Sequence, residues 1–185
     1  MNQARLAAEL GISHIPLREA LKQLEGEGYT EVRTYNGVYA RKLHKAEMND
    51  LYLVRREIEG LASGLALDKL TDRSVGQLQE GFVRMTKATK KLDYERLLKL
   101  NRSFHFTIYD ACAREFLLEL VENLWNRSAR YRIMGTFHPK RATEALKEHR
   151  RMLDSCVSRD KRGLTAATRT NVENTRRDLA AYTFE

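Results

Sequence analysis

Leu6-Ala7-Ala8-Glu9-Leu10-Gly11-Ile12-Ser13-His14-Ile15-Pro16-Leu17-Arg18-Glu19-Ala20-Leu21 is the stretch that decides how the chain begins to fold. Residues 4–10 read as a short helix. Gly11 ends it, because glycine adopts the left-handed C-terminal cap without a Cβ penalty. Ser13 is a good N-cap for a second helix, and Pro16 fits the first turn, where no helical donor is needed. Over 14–27, Leu17, Ala20, Leu21 and Leu24 recur at helical spacing, until Gly28 stops the run. Short strands are expected at 29–33 and 38–41. Tyr35-Asn36-Gly37 between them carries the Asn-Gly signal of a tight hairpin.

A helix, a glycine turn, a second helix of about four turns and a hairpin form the outline of a winged helix-turn-helix. Ala7 and Ala8 let the helices approach, and Leu17, Leu21 and Leu24 supply an inner face. The outer face then offers Ser13, His14, Arg18 and Lys22 to phosphates or base edges. Arg33, Asn36 and Arg41 on the hairpin are placed to reach the backbone of double-stranded DNA. The competing reading of the same spacing is an amphipathic helix pair with a solvated charged face.

Beyond the hairpin the pattern turns helical and stays so. Helices are expected near 47–69, 72–91, 94–112, 115–136, 141–158 and 161–182, with Asp72, Asp93 and Asp160 as N-caps. The fold class is therefore mostly α. A partial winged helix-turn-helix over 1–45, with a two-stranded wing, precedes an all-α antiparallel bundle of about six helices over 46–185. The 185 residues contain only 2 prolines and 10 glycines, which favours long helices over many short strands. The formal net charge of +8 suits a polyanionic partner, nucleic acid first and an anionic membrane surface second. No apolar run approaches ~20 residues, and the first ten residues lack a signal peptide's apolar core. A cytoplasmic protein with no membrane partner is expected. Cys112 and Cys156 fall within helical patterns without metal-type spacing and read as reduced core residues.

Three of the expected bundle helices carry polar residues on or beside their apolar stripes. Asn101 and His105 lie four apart and share a helical face beside Leu97, Leu100, Phe104 and Ile108. His149 falls in the stripe of Leu146, Leu153 and Cys156, and Asn171 lies between Ala167 and Val172. Such groups must be paired, hydrated or bound to something. Arg55, Arg130 and Arg132 are candidates to hold a small carboxylate effector, since guanidinium pairs with carboxylate in a planar fork. A helical-bundle metalloenzyme would want Glu-x-x-His on two helices, and that spacing is absent. No catalytic group stands out, so the chain does not read as an enzyme.

The segment 6–13, then Pro16-Leu17-Arg18-Glu19-Ala20-Leu21 and Leu24-Glu25-Gly26-Glu27-Gly28, resembles the DNA-binding domain of GntR-family transcriptional regulators. Leu51-Tyr52-Leu53-Val54-Arg55-Arg56-Glu57-Ile58-Glu59 resembles the start of the helical ligand-binding (FCD) domain of the FadR-type branch. The resemblance implies an operator-binding homodimer controlled by a small effector, an organic acid. It also implies a zinc or nickel ion held by an Asp-x-x-x-His pair and two later histidines. Here Asn101 and His105 match the first pair with Asn for Asp, His149 matches the second element, and Asn171 replaces the last histidine. The alternative is that the two histidines hydrogen-bond to the two asparagines or to the effector. The family has Arg-Thr where this chain has His14-Ile15, and a further helix ahead of the motif, so the first helix of the winged unit is expected to be missing. These departures favour, as the rival function, a sensing or dimerisation module that has lost sequence-specific DNA binding.

Overall fold

The structure, a computed structural model, describes residues 3–26, 28–33, 37–136 and 139–182; for 134–136 and 139 it describes the backbone alone. The chain divides into two compact units, one reaching to His44 and one starting at Lys45.

In the first unit, α1 (Gln3–Leu10) and α2 (His14–Gly26) are joined at Gly11, whose φ of 66° is the left-handed turn expected of it. Strands β1 (Thr30–Arg33) and β2 (Gly37–Ala40) pair antiparallel, with Arg33 opposite Gly37. Residues 34–36, and with them Asn36, lie outside the described residues. Ala7, Leu17, Leu21 and Val38 form a small core with Leu6 against it. Two expectations need correction. Ala8 is exposed, so Ala7 alone lies at the helix contact. Leu24, a turn beyond Leu21, stays 37% exposed rather than completing the inner face.

The second unit is all helical. It runs α3 (Lys45–Ala66), α4 (Asp72–Lys90), α5 (Tyr94–Tyr109), α6 (Glu115–Arg127), α7 (Ala129–Thr136), α8 (Pro139–Val157) and α9 (Lys161–Ala180). Single 3-10 turns extend α3 to Lys69 and α5 to Cys112. Asp93 and Asp160 cap as expected, accepting from the Arg96 and Gly163 amides at 3.1 and 2.9 Å. Asp72 does not: the Thr71 hydroxyl caps α4 by accepting from the Ser74 amide. The expected single helix over 115–136 is broken at Ser128. The Ser128 hydroxyl and the Arg132 guanidinium both donate to the Trp125 carbonyl, the group that would otherwise carry the helical ladder onward.

α3 lies along α9, α8 packs on α9 and α4, and α5 on α4. The core between them holds Leu78, Met85, Phe104, Ile108, Trp125, Met152 and Leu164, together with both free cysteines. The α3–α9 contact depends on small residues. A Cβ added at Gly64 would lie 2.6 Å from the Thr165 hydroxyl, and one at Gly60 would lie 2.8 Å from the Arg169 side chain. Among the described residues no helix is long and apolar enough to cross a membrane.

The close approach sets a stability contrast. Gly64→Ala should cost about 1–3 kcal/mol by overpacking. Gly76→Ala, on α4 with nothing within 4 Å of the new methyl, should gain up to about 1 kcal/mol from helix propensity. Urea unfolding midpoints of the two variants, moving in opposite directions, check this.

Candidate functional site

Ser13, just ahead of α2, and His14, Arg18 and Lys22 over its first three turns are solvent-exposed. This follows from the burial of Leu17 and Leu21, which turns the opposite face outward. Neither Arg18 nor Lys22 makes an ion pair among the described residues, so both charges are available to an incoming anion. Arg33 is exposed but engaged, pairing with Glu31 at 2.6 Å and lying 4.8 Å over the Tyr39 ring. Ile15 is 65% exposed on the same helix end.

A second site lies inside the helical unit, as a cavity of about 70 Å³ to which all seven of its helices contribute. A single water needs roughly 10–15 Å³ of such space, so the cavity has room for several water-sized groups. Asn101, His105, His149 and Asn171 all line it, as do Arg55 and Arg132. Arg130 does not. It turns to Glu47 at 2.7 Å and to the Tyr131 hydroxyl, on the other side of α7.

The two imidazoles meet directly, Nε2 to Nε2 at 3.1 Å, rather than each bonding to an asparagine. Their outer nitrogens decide what those inner nitrogens are. His149 Nδ1 lies 2.6 Å from the Ala145 carbonyl, which only accepts, so Nδ1 carries the proton. His105 Nδ1 lies 2.9 Å from the Tyr109 hydroxyl, which donates its own proton to Glu59 at 2.7 Å. His105 Nδ1 must then be the donor as well. In their neutral forms both rings therefore direct an Nε2 lone pair at the other.

That contact calls for a shared proton or a shared cation. The proton is disfavoured. Burial holds His105 well below its usual pKa, with His149, Arg55 and Arg132 pushing the same way. Burial likewise lowers His149 from 6.5 to about 4, although the Ala145 carbonyl and Glu148 pull upward. A cation fits. Two nitrogens on one metal at ~2.0–2.1 Å lie about 3.0 Å apart at a right angle and about 3.4 Å apart at the tetrahedral angle. Each imidazole also has the outer-nitrogen partner, a carbonyl or a carboxylate-backed hydroxyl, that orients metal-binding histidines.

The remaining donors are neutral. Asn171 spends its amide nitrogen on Glu148 at 2.7 Å, leaving its amide oxygen unengaged among the described residues. Asn101 makes no side-chain hydrogen bond there. Among the described residues no group of three or more His, Cys, Asp or Glu side chains gathers to hold a metal.

Several residues that build the site are not legible as site residues in the sequence. Glu59 takes the Arg55 Nε at 2.6 Å, with both side chains almost wholly buried. Glu148 is gripped by Arg141 through two hydrogen bonds and by Asn171 and Asn174. Tyr52 lines the cavity, its hydroxyl without a hydrogen-bond partner among the described residues and the Arg55 guanidinium stacked 4.8 Å over its ring. Spacing offered a signal for Glu59, which follows Arg55 by four residues, and for Tyr109, which holds His105 and follows it by four.

The fold defines a class, the transcriptional regulators that join a winged helix-turn-helix to a helical domain. Residues 50–174 match the FCD domain family and residues 2–39 match the bacterial regulatory proteins of the gntR family. The chain belongs to the GntR family of transcriptional regulators and carries an FCD domain. It is 28% identical over 160 residues to the HTH-type transcriptional regulator McbR of Escherichia coli K12, a match covering 85% of this chain and 72% of that protein. It is 33% identical over 127 residues to the Nta operon transcriptional regulator of Aminobacter aminovorans, covering 69% and 60% respectively. The solved structure of E. coli McbR/YncC superposes with a TM-score of 0.82 at 26% identity, over 96% of this chain and 84% of that one. The metal-free FCD domain of TM0439 shares the fold with a TM-score of 0.63 at 17% identity, over 75% of this chain and 94% of that one. These families and relatives are regulators of transcription and not enzymes.

The buried ion pair yields a prediction. Glu59→Gln strands the Arg55 charge in the interior and should cost about 3–5 kcal/mol. Tyr109→Phe removes the oxygen that His105 Nδ1 needs and should cost about 1–2 kcal/mol. Glu95→Gln, which breaks an exposed pair with Lys99, should leave the unfolding midpoint unchanged within error. Denaturant titration of the three variants gives the ranking.

Proposed function

We propose that this chain is an effector-responsive, operator-binding regulator that acts as a homodimer in the cytoplasm. Its cavity takes a small carboxylate together with a divalent metal such as zinc or nickel. The observation carrying this reading is the pair of facing imidazole lone pairs inside a cavity lined also by Arg55, Arg132, Arg141 and Asp178. His105 and His149 would hold the metal through Nε2, with the amide oxygens of Asn101 and Asn171 as weaker donors. The metal's contribution when bound is positive charge that a carboxylate oxygen can meet. The chain's own residues do the rest. The Ala145 carbonyl and the Tyr109–Glu59 pair hold both rings in the required tautomer. Arg55 and Arg132 favour an anion, and the Tyr52 hydroxyl offers it a donor.

On the DNA side, Ser13, His14, Arg18 and Lys22 would face the major groove, with Arg33 and Asn36 near the backbone. A two-fold dimer doubles these contacts over two half-sites. Effector binding controls the operator only through a difference in affinity between DNA-competent and incompetent forms. The exposed Ile15, where the family has a phosphate donor, favours a second reading in which sequence-specific DNA binding is lost and sensing remains.

Selection from a random double-stranded pool separates the two. The regulator reading expects enrichment of a palindromic site, and binding without any enriched sequence would support the second reading. With the selected site, Arg18→Ala should cost about 1–3 kcal/mol and relax specificity, whereas Lys22→Ala should lower the salt slope by about one. Light scattering should give a mass near twice the 21.5 kDa chain at micromolar concentration, and a monomer mass would remove the dimer from this reading.

A further inference from the structure

We infer that Ile15 is a base-reading residue of α2, packing on the C5-methyl of one thymine in each operator half-site. The inference rests on the operator-binding reading above and goes beyond it, because it assigns a base preference to one side chain.

The rotation of α2 about its own axis is fixed by Leu17 and Leu21, which are buried with Ala7 and Val38 in the small core. Counted from Leu17 at about 100° per residue, Arg18, Lys22 and Ile15 fall about 100°, 140° and 160° away. Ile15 thus stands almost opposite the core, in one outward stripe with two cations. It is 65% exposed and takes no part in the core. Leu10 and Ile12 are exposed too, but they belong to the end of α1 and the turn, outside this stripe. Glu19, one turn beyond Ile15, is also exposed. A carboxylate repels a phosphate, so the Ile15–Glu19 edge of the stripe suits base edges rather than the DNA backbone.

The N-terminal residues of a recognition helix are the ones that reach base edges in the major groove. Ile15 lies in the first turn of α2. Its side chain neither donates nor accepts, so it holds no phosphate and pairs with no polar base atom. Against guanine, adenine or cytosine it displaces water from a donor or acceptor and puts no hydrogen bond in its place. Thymine alone presents a methyl group in that groove. Two apolar groups then meet, and both leave water. In this chain the position thus contributes a choice of base pair, and the neighbouring cations Arg18 and Lys22 contribute the attraction to the polyanion.

The test uses the full chain and the double-stranded site selected from the random pool, with fluorescence anisotropy as the readout. Each thymine is replaced in turn, in both half-sites at once, by uracil, which keeps every hydrogen-bonding atom and lacks the methyl. At one thymine the change should weaken binding about tenfold, from a factor of about three to four at each half-site for one lost methyl contact. Ile15→Ser, a change at an exposed position outside the core, should bind the thymine and uracil sites alike, because the methyl then has no apolar partner. Uracil tolerated at every thymine would overturn the inference and leave operator binding standing. A sensitive thymine that Ile15→Ser still distinguishes from uracil would also overturn it, by assigning that methyl to another side chain. Selection that enriches no site would overturn both the inference and the operator-binding reading.

Discussion

One hydrogen-bonded chain ties the helical unit together: Arg55 to Glu59, Glu59 to Tyr109, Tyr109 to His105, His105 to His149, and His149 to the Ala145 carbonyl. It begins on α3, crosses α5 and ends on α8, so three helices that share few other polar contacts are registered through it. All but one of its bonds have an unambiguous direction. Arg55 and Tyr109 donate toward Glu59, and each histidine donates from Nδ1. The remaining bond, between the two Nε2 atoms, is left without a proton. The chain is therefore complete everywhere except at the cavity wall, and a buried network complete except at one point carries its cost there.

The arginines around the cavity divide into those whose charge is already matched and those aimed inward for other reasons. Arg55 is matched by Glu59 and stacks between Tyr52 and Trp125, at 4.8 and 4.9 Å from their ring centroids. Arg141 is matched by Glu148 and by Asp178 at 3.0 Å. Arg132 is held by the Trp125 carbonyl and over the Trp125 ring, and its position follows from the helix break at Ser128. The same break that ends α6 thus delivers a guanidinium to the cavity. Structure at this point is not decoration around the site; the unsatisfied end of one helix orients a charge for another purpose.

The N-terminal unit is built more sparely. Four buried residues, Ala7, Leu17, Leu21 and Val38, hold two helices and a hairpin. Burial of one face of α2 leaves Arg18 and Lys22 exposed, so these side chains are positioned by the apolar packing of Leu17 and Leu21 beneath them.

The elements of the fold were legible because local chemistry sets them. Helical periodicity, Gly11, Asp93 and Asp160 act within a few residues of themselves, and each acts as the sequence suggests. The candidate polar residues were legible too, since Asn101, His105, His149 and Asn171 fall on or beside apolar stripes. What the sequence could not decide was partnership. Arg130 and Arg132 look alike in sequence, yet two positions on a helix are about 200° apart, and the neighbouring helices alone determine which of them meets the cavity. Glu148 reads as a free carboxylate beside a histidine until α9 brings Asn171 and Asn174 to it and Arg141 folds back from the preceding turns. The tautomers of the histidines likewise depend on Tyr109 and Glu59, fifty residues apart and joined only in the fold. Spacing along one helix is fixed by covalent geometry and can be read directly. Charge balance in a shared interior is a sum over several helices, and only their packing settles it.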